Sequence, residues 1–330
     1  MYRFRLLCAA NTLWFSLYFH MAEAPFTPVP FKIITSDQGY LNTPVERSNI
    51  TFWPGERYDI IMDFSAMPAG AQVVVTNTST PPHLASRDTI DTKQVMKFLI
   101  NKPRSNAVDP ILPLTLNNIK EPVTSMAVNY PQGRPITLTQ HEEGTVTVTL
   151  VDDLAWTVPV NILPVEGTYE LWDIVNLSPD PHPIHVHLVA HRIIHRQDFD
   201  LAKYEAGGCE IADGSCLMGE PNAPREEEMG WKDTANCYNN QVTRVLLHWA
   251  PFDGDKFKFD VSAGPGYAIH CHILNHEDNQ MMRPFSVLKA NSTLTLPSKP
   301  HFHSKLGSQT RRKFSKQSLR ASMIKEENSM

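Results

Sequence analysis

The sequence has no apolar run approaching the roughly 20 residues that a membrane-spanning helix requires. It has no strong excess of either charge: 35 acidic against 30 basic residues leave a net −5. That balance points to neither nucleic acid nor an acidic surface as a partner. Glycine is scarce beside proline, 15 against 26. The segments between the prolines are short and rich in Val, Ile, Thr and Phe, the pattern of an all-β chain with many turns. What is present is ordinary for a globular protein, 42% hydrophobic and 20% charged. A length of 330 residues allows about two domains with proper cores.

Period-2 patterns predict several strands. At the N-terminus, Tyr2, Phe4 and Leu6 alternate with Arg3, Arg5 and Leu7. This reads as a half-buried strand rather than a secretory signal, because Asn11, Thr12 and Ser16 break the apolar stretch. TVTVTL (145–150) is expected to turn Val146, Val148 and Leu150 to one buried face, and KFKFDV (256–261) to do the same with Phe257, Phe259 and Val261. ELWDIVNL (170–177) is nearly continuous in apolar character, as in a strand covered on both faces. Residues 102–122 are proline-rich and without period, and read as a linker. The polar, basic tail from about Asn291 reads as disordered.

The chemistry concentrates in two motifs. In GPGYAIHCHILNHEDNQMMRPF (264–285), Cys271 is followed by His276 and then by Met281 at equal spacings of five. One thiolate, imidazoles and a thioether form the ligand set of a blue-copper electron-transfer centre, in which soft sulfur favours Cu(I) and an axial Met tunes the potential. The second imidazole must come from elsewhere, and HPIHVH (182–187) supplies His182. Strand parity divides the remaining histidines. His270 and His272 point away from Cys271, and His185 and His187 have the opposite parity to His182. Two sites follow: Cys271, His182, His276 and Met281 around one copper, and His185, His187, His270 and His272 around a second metal centre.

HPIHVH and HCHILNHEDNQMM resemble the two C-terminal copper motifs of multicopper oxidases. The surrounding YELWDIVNLSPDPHPIHVHLVAHRIIHRQDFD and GWKDT are similar to the spore-coat laccase, bilirubin oxidase and plant multicopper ferroxidase branch. YRFRLLCAANT (2–12) and WPGERYDIIMDFS (53–65) resemble that branch's middle cupredoxin domain. The resemblance implies two cupredoxin-like Greek-key β-sandwich domains: residues 1–102 an incomplete middle domain, 103–125 a linker, 126–290 the copper-binding C-terminal domain, and 291–330 a tail. It further implies His182, Cys271, His276 and Met281 as type 1 copper ligands. By the same resemblance His185 binds type 2 copper, and His187, His270 and His272 bind the type 3 pair. Glu277 matches an acidic position that aids proton delivery to oxygen. For the full-length family member it implies a secreted or secretory-pathway location.

The sequence also departs from the family. A complete oxidase supplies four further cluster histidines from H-W-H-G and H-x-H motifs, and no H-W-H-G occurs here. The remaining H-x-H, His301 and His303, lies in the tail without strand context. Two functions are therefore expected. One is a laccase-like oxidation of a phenolic or bilirubin-like donor, or of Fe(II), coupled to reduction of O2, with another polypeptide segment supplying the missing domain. The other is a type 1 copper electron-transfer or copper-binding protein, or an inactive fragment, without oxygen chemistry.

Other features read more plainly. His20, His83, His141 and His248 stand alone as surface or hydrogen-bonded residues, and His191 and His195 are expected on a sandwich surface. Cys209, Cys216 and Cys237 share a long loop where one disulfide would leave an odd thiol, and Cys8 stands apart. Sequons begin at Asn49, Asn77, Asn176 and Asn291, the third disfavoured by Pro179. Asp180, Asp198, Asp200, Glu205 and Glu226 to Glu228 flank the motifs. Ferroxidases place carboxylates beside the type 1 site, but acidic loops are usually only solvated.

Overall fold

The computed structural model describes residues 1–79, 93–102, 106–120, 124–127, 130, 132–143, 146–252, 256–290 and 292. The tail prediction, His83, His301, His303 and the Asn291 sequon lie outside the described residues.

The fold is all-β and cupredoxin-like, built as two sandwiches of two sheets each. In the first, strands β1 (Tyr2–Leu7), β2 (Phe15–Met21), β3 (Phe31–Ser36), β4 (Gly39–Arg47), β5 (Asn49–Phe52), β6 (Arg57–Met62), β7 (Gln72–Asn77) and β8 (Gln94–Leu99) form sheets ordered β1-β6-β3-β4 and β5-β2-β7-β8. Alternation does the folding work: Tyr58, Ile60 and Met62 of β6 and Val73 and Val75 of β7 turn inward against Phe19, Phe31 and Ile33, and each is essentially fully buried.

The second sandwich contains β9 (Arg134–Glu143), β10 (Val146–Val151), β11 (Tyr169–Asn176), β12 (His182–Val186), β13 (His191–Phe199), β14 (Leu217–Asn222), β15 (Thr234–Cys237), β16 (Gln241–His248), β17 (Tyr267–Cys271) and β18 (Met282–Phe285). Its sheets run β10-β9-β11-β16-β13-β14 and β15-β12-β17-β18, so the chain crosses repeatedly between layers in Greek-key fashion. Short helices α1 (Leu201–Glu205) and α2 (Leu274–Glu277) interrupt it. As expected, β11 is buried on both faces, with Trp172, Ile174 and Val175 in the core. Between the sandwiches, residues 106–120 have no regular structure. Asn42 tethers them by accepting from Ile119 N and donating to Ile119 O.

β1 is a strand paired with β6, with Phe4 and Leu6 against the first core while Tyr2 stays exposed. Two expectations are corrected. KFKFDV is not a strand: Phe257 and Val261 reach the core, but Phe259 is exposed and Asp260 turns the chain by accepting from Ser262. In β10 the buried face is Thr149 and Val151 rather than Val148 and Leu150. β10 is a sheet edge lying under the loop after β17, and Thr149 Oγ1 donates to His276 O there at 3.0 Å.

Candidate metal centres

The β15-β12-β17-β18 sheet separates two chemistries. β12 pairs antiparallel with β17 in the register Ile184 opposite Cys271 and His185 opposite His270. Residues directly opposite share a face, so Cys271 lies with Ile184 and His182 on the core side, and His270 lies with His185 and His187 on the other.

On the core side, α2 brings His276 back to Cys271. Cys271 Sγ is 3.6 Å from His182 Nδ1 and 3.9 Å from His276 Nδ1, and the two Nδ1 atoms are 3.1 Å apart. Cys271 and His182 are fully buried and His276 is partly exposed. Met281 is fully buried beside them, its backbone accepting from Cys271 N at 3.0 Å and donating to His276 O at 2.9 Å. Bonds of about 2.0 Å to nitrogen and 2.3 Å to sulfur at trigonal angles separate the donors by roughly 3.5 to 3.7 Å. The triangle therefore fits one ion without rebuilding, and its composition of one thiol and two imidazoles suits copper. Burial pushes the Cys271 thiol far up, and burial and the neighbouring His276 hold His182 well below the usual imidazole range. Binding a cation there displaces the thiol proton. Ile273 N already donates to Sγ at 3.4 Å.

On the opposite face, His185, His187 and His270 bring their ligand atoms within 4.8 Å of one another. His187 Nε2 and His270 Nε2 are 3.2 Å apart. His272 stands at the edge of this group, its ring centroid 5.6 Å from His270 and 5.9 Å from His185. The other ring nitrogens are occupied: His185 Nδ1 donates to Asp233 O at 3.0 Å, and His270 Nδ1 donates to Cys271 O at 3.0 Å with Glu277 Oε2 at 3.3 Å. These outer partners leave Nε2 of both rings toward the site, the usual way a protein orients ligating histidines. Burial, then the charges of His185 and His270, lower His187 to about 4, and burial lowers His270. Neutral imidazoles are what a metal needs.

Sequence reasoning missed the groups that hold this face from the first sandwich. Gly55 lies against His272. Arg57 grips the Asp233 carboxylate with two hydrogen bonds of 2.6 and 2.7 Å, and Gln38 donates to it at 2.6 Å. Burial opposes its charge, but the hydrogen bonds from His185 and Arg57 hold Asp233 far below the ordinary carboxylate range. Lys232, fully buried, spans Asp37 and Glu56 at 2.9 Å each. Asp233 and Lys232 lie in GWKDT, and that motif was the available signal. The acidic loop residues are also more engaged than a solvated loop: Glu228 pairs with Arg196 and Arg225, Glu227 with Arg47 and Arg225, and Asp200 caps α1.

The isolated histidines stay outside both groups. His20 bonds Met21 O, His141 pairs with Asp153, and His248 stacks on Tyr169 at 4.0 Å. His191 is not on a surface: at the start of β13 it is fully buried, paired with Leu247 of β16 on one side and bridged to the buried Lys232 on the other, and neither ring nitrogen has a hydrogen-bond partner among the described residues. Cys209 and Cys216 form the disulfide, leaving Cys8, Cys237 and Cys271 reduced and buried. Asn77 and Asn176 are buried, which removes two of the sequons from solvent.

Cupredoxin-like sandwiches carrying a buried triangle of one cysteine and two histidines, backed by a histidine cluster, define a copper protein. The multicopper oxidase family model matches residues 131–291. The chain is 32% identical to the multicopper oxidase LPR1 of Arabidopsis thaliana and 32% to a laccase of Bacillus subtilis, each over 87% of this chain and 50% of the relative. It is 30% identical to the bilirubin oxidase of Albifimbria verrucaria, over 86% of this chain and 44% of that protein. It shares the fold of the McoA multicopper oxidase of Aquifex aeolicus, with a TM-score of 0.65 and 24% identity over 87% of this chain and 55% of that one. The chain belongs to the multicopper oxidase family, whose cofactor is copper. It spans about half the length of the curated relatives it matches.

Proposed function

We propose that this chain is the electron-accepting half of a laccase-like oxidase, with His182, Cys271, His276 and Met281 holding type 1 copper. His185 would hold type 2 copper, and His187, His270 and His272 the type 3 pair. The observation that carries the reading is the Cys271 triangle, three donor atoms at metal-binding separations in a buried pocket. Copper, when bound, supplies one-electron oxidation of the donor and reduction of O2 to water. The protein's own contribution is positional. His276, the one partly exposed ring of the triangle, presents its edge to a phenolic, bilirubin-like or Fe(II) donor. Cys271 is bonded through its own backbone to His270 and His272, so the two groups are joined by a few covalent bonds. Glu277 stands beside His270 Nδ1, placed to hold a proton there.

The four histidines of the second face are half of what a three-copper cluster requires, and a further polypeptide segment would supply the rest. The motif count also favours a second reading, a type 1 copper protein that passes electrons without reducing O2. Copper-loaded protein tests the half-site assignment that both readings share. A blue thiolate charge-transfer band that Cys271→Ser abolishes, without the near-ultraviolet band of a coupled copper pair, is the expected result. Oxygen uptake with a phenol or Fe(II) by this chain alone would overturn the half-site reading.

A further inference from the structure

Asn176, Leu177 and Ser178 spell a glycosylation sequon, yet both polar side chains are buried in the second sandwich beside the Cys271 triangle. We propose that Ser178, locked by Asn176, is a positioning residue that fixes the tautomer of His182, so that its unprotonated Nδ1 faces Cys271 and His276. The geometry stands by itself, and its consequence for copper rests on the reading of the triangle as a type 1 site.

Hydrogen-bond polarity determines the assignment. Asn176 Nδ2 donates to two carbonyls, Asp180 O at 2.7 Å and Cys237 O at 3.0 Å. The amide is thereby oriented, and Asn176 Oδ1 accepts from Ser178 N at 3.0 Å. The Ser178 hydroxyl has two further neighbours, Asn176 Oδ1 at 2.8 Å and Asp180 O at 3.0 Å, and neither has a proton to give. Giving its single proton to one of them leaves only one oxygen–oxygen contact without a proton, whereas giving it to the ring would leave both, so Oγ is the acceptor toward His182 Nε2, 2.6 Å away. A neutral imidazole that donates from Nε2 carries its lone pair on Nδ1, the atom 3.6 Å from Cys271 Sγ. The hydrogen-bond chain from Asn176 through Ser178 therefore sets the ligating tautomer before any ion arrives. This is preorganisation of the metal-free site by a neighbour that need not touch the ion.

The test uses the full chain. In metal-free protein with nitrogen-15 histidine, long-range proton–nitrogen correlation should find His182 wholly as the Nε2–H tautomer. Finding Nδ1–H in the wild type overturns the proposal. Ser178→Ala should lose the single tautomer, weaken copper binding about 10- to 100-fold, and shift or broaden the thiolate band. Ser178→Thr, which keeps the hydroxyl, should restore all three. Ser178→Cys, similar in size with a weak acceptor, should behave as alanine does and serves if the alanine variant does not fold. A folded Ser178→Ala protein with wild-type tautomer, affinity and band refutes the relay. If wild-type protein takes no copper at Cys271, the copper reading fails while the nitrogen spectra still decide the tautomer.

Discussion

Gly55 has no room for a side chain because the imidazole of His272 occupies the space. A Cβ built there would lie 2.5 Å from His272 Cδ2, and the backbone sits at φ +85°, a conformation that favours glycine. A loop of the first sandwich therefore forms one wall of the histidine group of the second. Gly55→Ala is expected to push His272 aside, lower copper occupancy of that group and leave the blue band unchanged. Metal analysis with electron paramagnetic resonance checks both. Overpacking and backbone strain together should also cost about 1–3 kcal/mol in urea unfolding.

Asp233 carries the same coupling to His185. Replacing it by Asn removes the charge that Arg57 clamps and loosens the loop whose carbonyl holds His185 Nδ1. Copper affinity of the histidine group should fall roughly 10-fold, as for other outer partners of metal ligands. A copper titration that follows both centres separately will show the blue site titrating as in wild type.

Lys232→Met strands the Asp37 and Glu56 carboxylates in the interface between the sandwiches. Leaving buried charge unpaired typically costs about 3–5 kcal/mol, and a shift of that size is expected in equilibrium unfolding. Adding Asp37→Asn and Glu56→Gln to the same variant should recover most of it.

His191 gives a pH dependence whose sign is fixed by its burial. Burial lowers its pKa from 6.5 to about 3, so between those values the unfolded chain binds the proton more readily. Its contribution is fully present above about pH 6.5 and is lost as pH falls toward 3, at no more than roughly 1.4 kcal/mol per pH unit. His191→Phe should flatten the stability curve between pH 7 and pH 4, measured by urea unfolding at several pH values.

Much of the site was legible because strand parity is local. Once β12 and β17 are strands, the alternation of His182 against His185 and of Cys271 against its neighbours assigns each ring to a face. Parity does not say which face is buried when a strand lies at an edge, so β10 buries threonine under the loop that carries His276. It also misleads where a turn follows, as in KFKFDV, whose alternating Lys and Phe mimic a strand. Ser178 was visible only as part of a sequon. The grip of Gly55, Arg57 and Lys232 across the two sandwiches was out of reach, because their partners lie far along the chain and no period relates them.

The three reduced cysteines are all buried, and burial pushes Cys8 and Cys237 up to about 12. A folded molecule thus offers alkylating reagents almost no thiolate, while an opened one offers three. The rate of thiol labelling becomes a stopwatch for transient opening, with Cys8 timing the first sandwich and Cys237 and Cys271 the second.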